Sequence, residues 1–223
     1  MGELIKIELK KVSLKGQIRN LIALNIVMFP ILLVMFLFMG GAMPMEKYAM
    51  LDLLIKVIFM IWQSVLISSM IIDEFKTRTM AQLYTYPIKR SAIISSKLVL
   101  IFVMMLVFIL ITQFIQHSLF RGTALVLAQL EYSVSLQAIV GIILTSPLAV
   151  MIGMIPLTVG LWMNSTIAPI LTSFFMIAVL GGGMAESEIE LLNNLGAMSV
   201  MGILGMIFVI ISIKDVTKKD LIV

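Results

Sequence analysis

Cysteine is absent from the chain, and with it go disulfides, thiolate nucleophiles and cysteine metal sites. Histidine occurs once, at His117, whereas metal catalysis normally needs several His, Cys or carboxylate ligands converging. Charge is scarce as well: 13% of the 223 residues are Asp, Glu, Lys or Arg, against about 25% in an ordinary soluble domain. A soluble chain of this size needs polar residues to cover its outside, so a soluble enzyme is excluded. No G-x-x-x-x-G-K-S/T phosphate loop occurs, which leaves the chain without that means of binding and hydrolysing ATP.

What is present is apolar surface. Hydrophobic residues make up 61% of the chain and the mean hydropathy is +1.14. A bilayer core of about 30 Å takes roughly 20 apolar residues per helical span. Six such segments are readable, at about 20–43, 51–72, 94–118, 136–160, 165–183 and 195–213. Loops and short tails use up the rest, so 1–223 is expected to be a single all-α transmembrane domain of six helices.

An even number of spans puts both termini on one side, and the basic residues say which. Lys6, Lys10, Lys11, Lys15 and Arg19 precede the first span. Lys76, Arg78, Lys89, Arg90 and Lys97 follow the second, and Lys214, Lys218 and Lys219 follow the last. Of the 16 basic residues, Lys47, Lys56 and Arg121 alone fall at the opposite ends. Both termini are therefore expected in the cytoplasm. The net charge of +4 reports this topology and does not point to nucleic acid.

The first span starts too late for a cleaved signal peptide and is not followed by a small-residue cleavage site, so it is expected to stay as an anchor. Residues 3–19 place Lys6, Lys10, Ser13 and Gln17 along one helical face. They read either as an interfacial helix on an anionic leaflet or as a solvated basic tail. Pro147 and Pro156 predict a kinked or broken fourth span; Pro30 and Pro169 lie in other apolar segments. Ala149 with Gly153, and Gly202 with Gly205, mark candidate points of close helix approach.

Ionisable groups in mid-membrane point by default to ion coupling or a substrate path, and few are available here. Asp52 and Lys56 sit in the first turns of span two, spaced to pair at i, i+4 with Lys56 snorkelling outward. His117 reads as an interfacial residue at the outer end of span three. Gln63, Ser68, Gln113 and Gln116 are candidates to line a translocation path; Ser64, Ser69 and Thr112 share their apolar setting. All of them read equally as interhelical hydrogen-bond bridges. Asn164-Ser165-Thr166 matches the N-glycosylation pattern, but the expected topology puts it in a cytoplasmic turn.

The one substantial cytoplasmic loop runs from Asp73 to Arg90. As a helix it would carry Phe75, Thr79, Leu83 and Tyr86 on one side, pair Glu74 with Arg78 at i, i+4, and stop at Pro87. Such a helix has the form of one that docks in a partner's groove, or it lies on the protein's own helices.

The order Glu74, Thr79, Leu83, Pro87, Ile88, Arg90, Ile94 and Lys97, between spans two and three, resembles the characteristic segment of ABC-2 type permeases, the membrane subunits of ABC exporters. Glu8 among the N-terminal basic residues and Lys214-Asp215 after the last span agree with it. Arg78 stands where that family usually has glycine.

The resemblance implies that Glu74, Phe75, Arg78, Thr79, Leu83, Tyr86 and Pro87 form a coupling helix seated in a separate cytoplasmic ATPase. ATP and magnesium are expected on that partner and no cofactor on this chain. The resemblance also implies a second permease subunit, identical or not, a bacterial plasma membrane, an N-terminal interfacial helix over 1–19, and a re-entrant element between spans five and six. Gly181-Gly182-Gly183 and the acidic run Glu186, Glu188 and Glu190 fall in that last region. The expected activity is export of an amphipathic, peptide or lipid-like substrate, possible cargo including an antimicrobial peptide. The alternatives are a non-transporting scaffold, sensor or immunity subunit of an ABC complex, and an ion-coupled carrier or channel.

Overall fold

A computed structural model describes residues 9, 13–39, 47–76, 90–127, 130, 132–181 and 195–219. The described chain is helical with no strand. In chain order the helices are α1 (Leu14–Met39), α2 (Lys47–Ile67), a π-helical turn (Ser68–Ile72), α3 (Asp73–Lys76) and α4 (Arg90–Val126). After them come α5 (Leu136–Ile152), α6 (Ile155–Met163), α7 (Ala168–Gly181) and α8 (Leu195–Lys219).

Among the described residues, five stretches are long and apolar enough to cross a membrane: Leu14–Phe38, Lys47–Ile72, Ala92–Val126, Leu136–Met163 and Leu195–Lys214. The fifth of the six expected spans, 165–183, is realised as the 14-residue α7. At 1.5 Å per residue α7 rises about 21 Å, short of a hydrocarbon core of about 30 Å. Its start is set locally: Asn164 adopts the left-handed conformation (φ 47°) that closes α6, a geometry Asn tolerates better than most residues. The N-S-T match therefore has a structural use for its asparagine. Of the expected interfacial segment, residues 14–19 form the first turns of α1, and 1–12 lie outside the described residues apart from Leu9.

The expected break in span four falls between α5 and α6. Pro156 has no N–H to give, and Gly153 and Met154 form a turn in which Met154 N–H bonds to the Met151 carbonyl at 3.1 Å. That diverts the donor an unbroken helix would have offered to Val150.

In the packing, α8 lies along α5 and also contacts α6, while α2 sits between α4, α5 and α7. Gly205 allows the α8 approach, since a Cβ there would lie 3.0 Å from the Met151 carbonyl oxygen. Phe120 of α4 meets Phe29 and Phe36 of α1 edge to face, with centroids 5.3 and 5.2 Å apart. With lipid outside, contacts of this kind and buried hydrogen bonds, rather than escape from water, hold such helices together.

Candidate functional site

The segment expected to contact a partner begins within the described residues and then leaves them. Glu74 is described with its side chain, and Phe75 by its backbone alone. Arg78, Thr79, Leu83, Tyr86 and Pro87 lie outside the described residues. Glu74 forms an ion pair with Lys97 of α4. Lys97, whose side chain is fully buried, also donates to the Met70 carbonyl at 3.0 Å. Met70 belongs to the π-helical turn, in which the Asp73 N–H reaches back to the Ser68 carbonyl. The start of the loop is thus tied to both helices that flank it. Lys97 entered the sequence reading as a marker of sidedness; its place in the resemblance beside Glu74 was the signal of a closer role.

A second polar site lies inside the helices. Asp52 and Lys56 pair as their spacing predicted, at 2.5 Å. The snorkelling expectation is corrected: the Lys56 side chain is 0% exposed, about 14 Å along α2 from its first residue. It points inward because three helices supply polar groups there. Lys56 donates to Thr145 Oγ1 at 2.9 Å, Gln113 Nε2 donates to Asp52 Oδ1 at 2.8 Å, and Ser146 Oγ donates to Gln113 Oε1 at 2.8 Å. A buried charge is tolerated where it is paired and its remaining hydrogen-bonding capacity is met, and this cluster meets both conditions. Thr145 and Ser146 escaped the sequence reading; two adjacent hydroxyls just before Pro147 were the available signal.

The other expected path residues are engaged in the same way. Gln63 donates to the Val150 carbonyl at 2.9 Å. Ser68 bonds to the Thr166 carbonyl. Gln116 Nε2 lies 3.1 Å from the Asn25 carbonyl and 3.2 Å from Asn25 Oδ1, while Asn25 donates to Thr112 Oγ1 at 3.1 Å. Ser64 and Ser173 join α2 to α7 at 3.1 Å. Gln63, Ser68, Gln113 and Gln116 are all buried. Gln63 ties α2 to α5, Ser68 ties the π-helical turn to Thr166, Gln113 joins α4 to α2 and α5, and Gln116 joins α4 to α1.

Beyond the Val126 end of α4, Leu130 and Tyr132 pack back into the core of the bundle. His117 Nδ1 contacts the Tyr132 hydroxyl, and Lys47 Nζ donates to the Leu130 carbonyl at 2.5 Å. Burial, with the Asp52 carboxylate adding to it, pushes the Tyr132 phenol up, so it stays neutral and keeps its O–H for this contact. His117 is therefore a packed helix-to-loop link.

The sequence profile of the ABC-2 family transporter protein matches residues 4–182. An uncharacterized protein of Bacillus subtilis (strain 168), YcbO, is 26% identical over 103 residues, a match covering 44% of this chain and 45% of that one. The matched region thus spans less than half of that relative. No solved structure matches the chain. The profile takes in α1 to α7, the start of the loop after α3 and both polar sites, and on that extent the chain belongs to the ABC-2 family of membrane transporter proteins.

Proposed function

We propose that the chain is the permease subunit of an ATP-binding-cassette exporter, driven by ATP hydrolysed on a separate cytoplasmic subunit. In this reading the segment Glu74 to Pro87 is the coupling element, with Phe75, Arg78, Thr79, Leu83 and Tyr86 offered to the ATPase. The termini are cytoplasmic, the membrane is the bacterial plasma membrane, and two permeases act together on an amphipathic, peptide or lipid-like substrate. Nucleotide and magnesium belong to the partner, and no step of their chemistry falls to residues of this chain.

The observation that carries the reading is the anchoring of Glu74. Its pair with Lys97, and the bond from Lys97 to Met70, fasten the start of the segment to α2 and α4 together. A push on the segment then moves two spans rather than bending a loop. For ATP binding to drive this, the ATPase must prefer one permease conformation, since a partner with equal affinity for both shifts nothing. Leu83→Asp tests it: the permease should insert normally, lose the co-purifying ATPase and lose export. Retention of both would overturn the coupling assignment.

One observation favours a second reading. Gln63, Ser68, Gln113 and Gln116 are all bonded within the subunit. That supports either a path formed between two subunits or a non-transporting scaffold or sensor. ATP-dependent vectorial movement of substrate in vesicles carrying the purified complex separates these two.

A further inference from the structure

An apolar groove of about 770 Å³ runs between α1 and α4, with Ile18, Ile22, Ile26 and Phe29 on one wall and Ile111 and Ile115 on the other. It opens on the outer surface of the bundle, where Ile22 and Ile26 are more than half exposed. Asn25 is the one polar residue among those lining it. Its amide is occupied, donating to the Leu21 carbonyl at 2.9 Å and to Thr112 Oγ1 at 3.1 Å. The groove therefore offers hydrocarbon contact and no polar group.

Its length and its end identify what fits. From Ile18 to Phe29 the helix rises about 16 Å, half of a hydrocarbon core of about 30 Å. An acyl chain from one leaflet reaches through half of that core, the length the groove provides. At the Ile18 end stand two exposed cations, Lys15 and Arg19. Lys15 precedes Ile18 and Ile22 by three and seven residues, and Arg19 stands in the same relation to Ile22 and Ile26, so both lie on the face that forms the wall. Basic residues at this depth attract anionic headgroups.

We propose that this groove holds an anionic phospholipid, with one acyl chain between α1 and α4 and its phosphate on Lys15 and Arg19. The lipid is a resident of the leaflet at the amino-terminal end of α1 and is not cargo. It fills the outer side of the α1–α4 contact, whose inner side is closed by the hydrogen bonds of Asn25 with Thr112 and Gln116 and by Phe29, Phe36 and Phe120.

The test uses the full-length chain with its ATPase in phosphatidylcholine vesicles doped with either phosphatidylglycerol or phosphatidylcholine, each carrying a photoreactive group in mid-chain. Phosphatidylglycerol should label peptides from 18–29 and 107–119 in clear excess over phosphatidylcholine. Removing both charges with Lys15→Gln and Arg19→Gln should lower that labelling about tenfold to thirtyfold while leaving membrane insertion unchanged. Ile26→Trp, which fills the groove, should abolish it. Equal labelling by the two lipids would reduce the groove to ordinary lipid-facing surface and overturn the proposal. So would a disulfide-linked dimer formed in high yield by Ile22→Cys in this cysteine-free chain, which would give the groove to a second copy. Loss of labelling during ATP turnover would make the lipid cargo and overturn residence.

Discussion

Gln63 and Val150 are joined by a hydrogen bond of 2.9 Å from the side chain of one helix to a carbonyl of another. That carbonyl needs the bond because the turn at Gly153 and Met154 diverts its helical donor. Gly153 makes room for it, since a Cβ there would come within 2.8 Å of the Gln63 amide carbon. The break in span four and its repair from span two form one unit.

Gln63→Leu should therefore destabilise the permease by about 1–2 kcal/mol, the cost of a buried carbonyl left unpaired. Gly153→Ala should act on the same contact by pushing Gln63 aside. Thermal denaturation of the purified protein should show the double variant losing less than the two single losses added. Full additivity would mean the two positions act separately.

Asp52 and Lys56 give a sharper asymmetry. Lys56→Met takes the cation from a buried carboxylate and Asp52→Asn takes a carboxylate from a buried ammonium, each expected to cost about 3–5 kcal/mol. Asp52→Asn combined with Lys56→Met removes both charges and should recover much of the loss. Denaturation midpoints and yield of folded protein check this. A double variant no better than the worse single one would show that the pair does more than satisfy itself.

Lys97→Ala separates coupling from docking. It removes one ion-pair partner of Glu74 and takes a donor from the Met70 carbonyl, while Phe75, Arg78, Thr79, Leu83 and Tyr86, the residues proposed to be offered to the ATPase, keep their side chains. The ATPase should still co-purify, with its hydrolysis uncoupled from export. Joint loss of association and export would instead place Lys97 in support of the docking surface itself.

Tyr132→Phe removes the hydroxyl that His117 contacts while keeping the ring that packs 5.6 Å from Phe120. Hydrogen exchange in residues 127–135 should rise by roughly tenfold, corresponding to about 1 kcal/mol of local stability, with α8 unaffected. No change in exchange would assign the closure of that loop to the rings alone.

Much of the architecture could be read from local pattern, because apolar runs and prolines act where they stand. Five of the expected spans and the break near Pro156 are of this kind. Their ends are less legible. Span three was expected to stop at 118, yet α4 continues to Val126 through polar residues that look like a helix end; the loop packing back through Leu130 and Tyr132 gives those turns a partner. Lys56 failed in the same way: by sequence it is a long basic side chain near a helix end, the usual setting for snorkelling. What turns it inward is Thr145, with Gln113 and Ser146 around Asp52, and these lie on other helices far along the chain. The Glu74 to Lys97 tie was visible only as two members of a family pattern.

The π-helical turn at Ser68–Ile72 has a consequence for the phase of everything after it. One extra residue per turn rotates the downstream chain by about 100° relative to an uninterrupted α-helix. With the turn in place, Ser68 meets Thr166 on one side while Glu74 faces Lys97 on another. Deleting a single residue between Ser68 and Ile72 would restore α-helical phase and swing Glu74 away from Lys97 without altering a side chain on either. The helix is indexed here like a gear with one added tooth, and the bearing of the loop that follows depends on it.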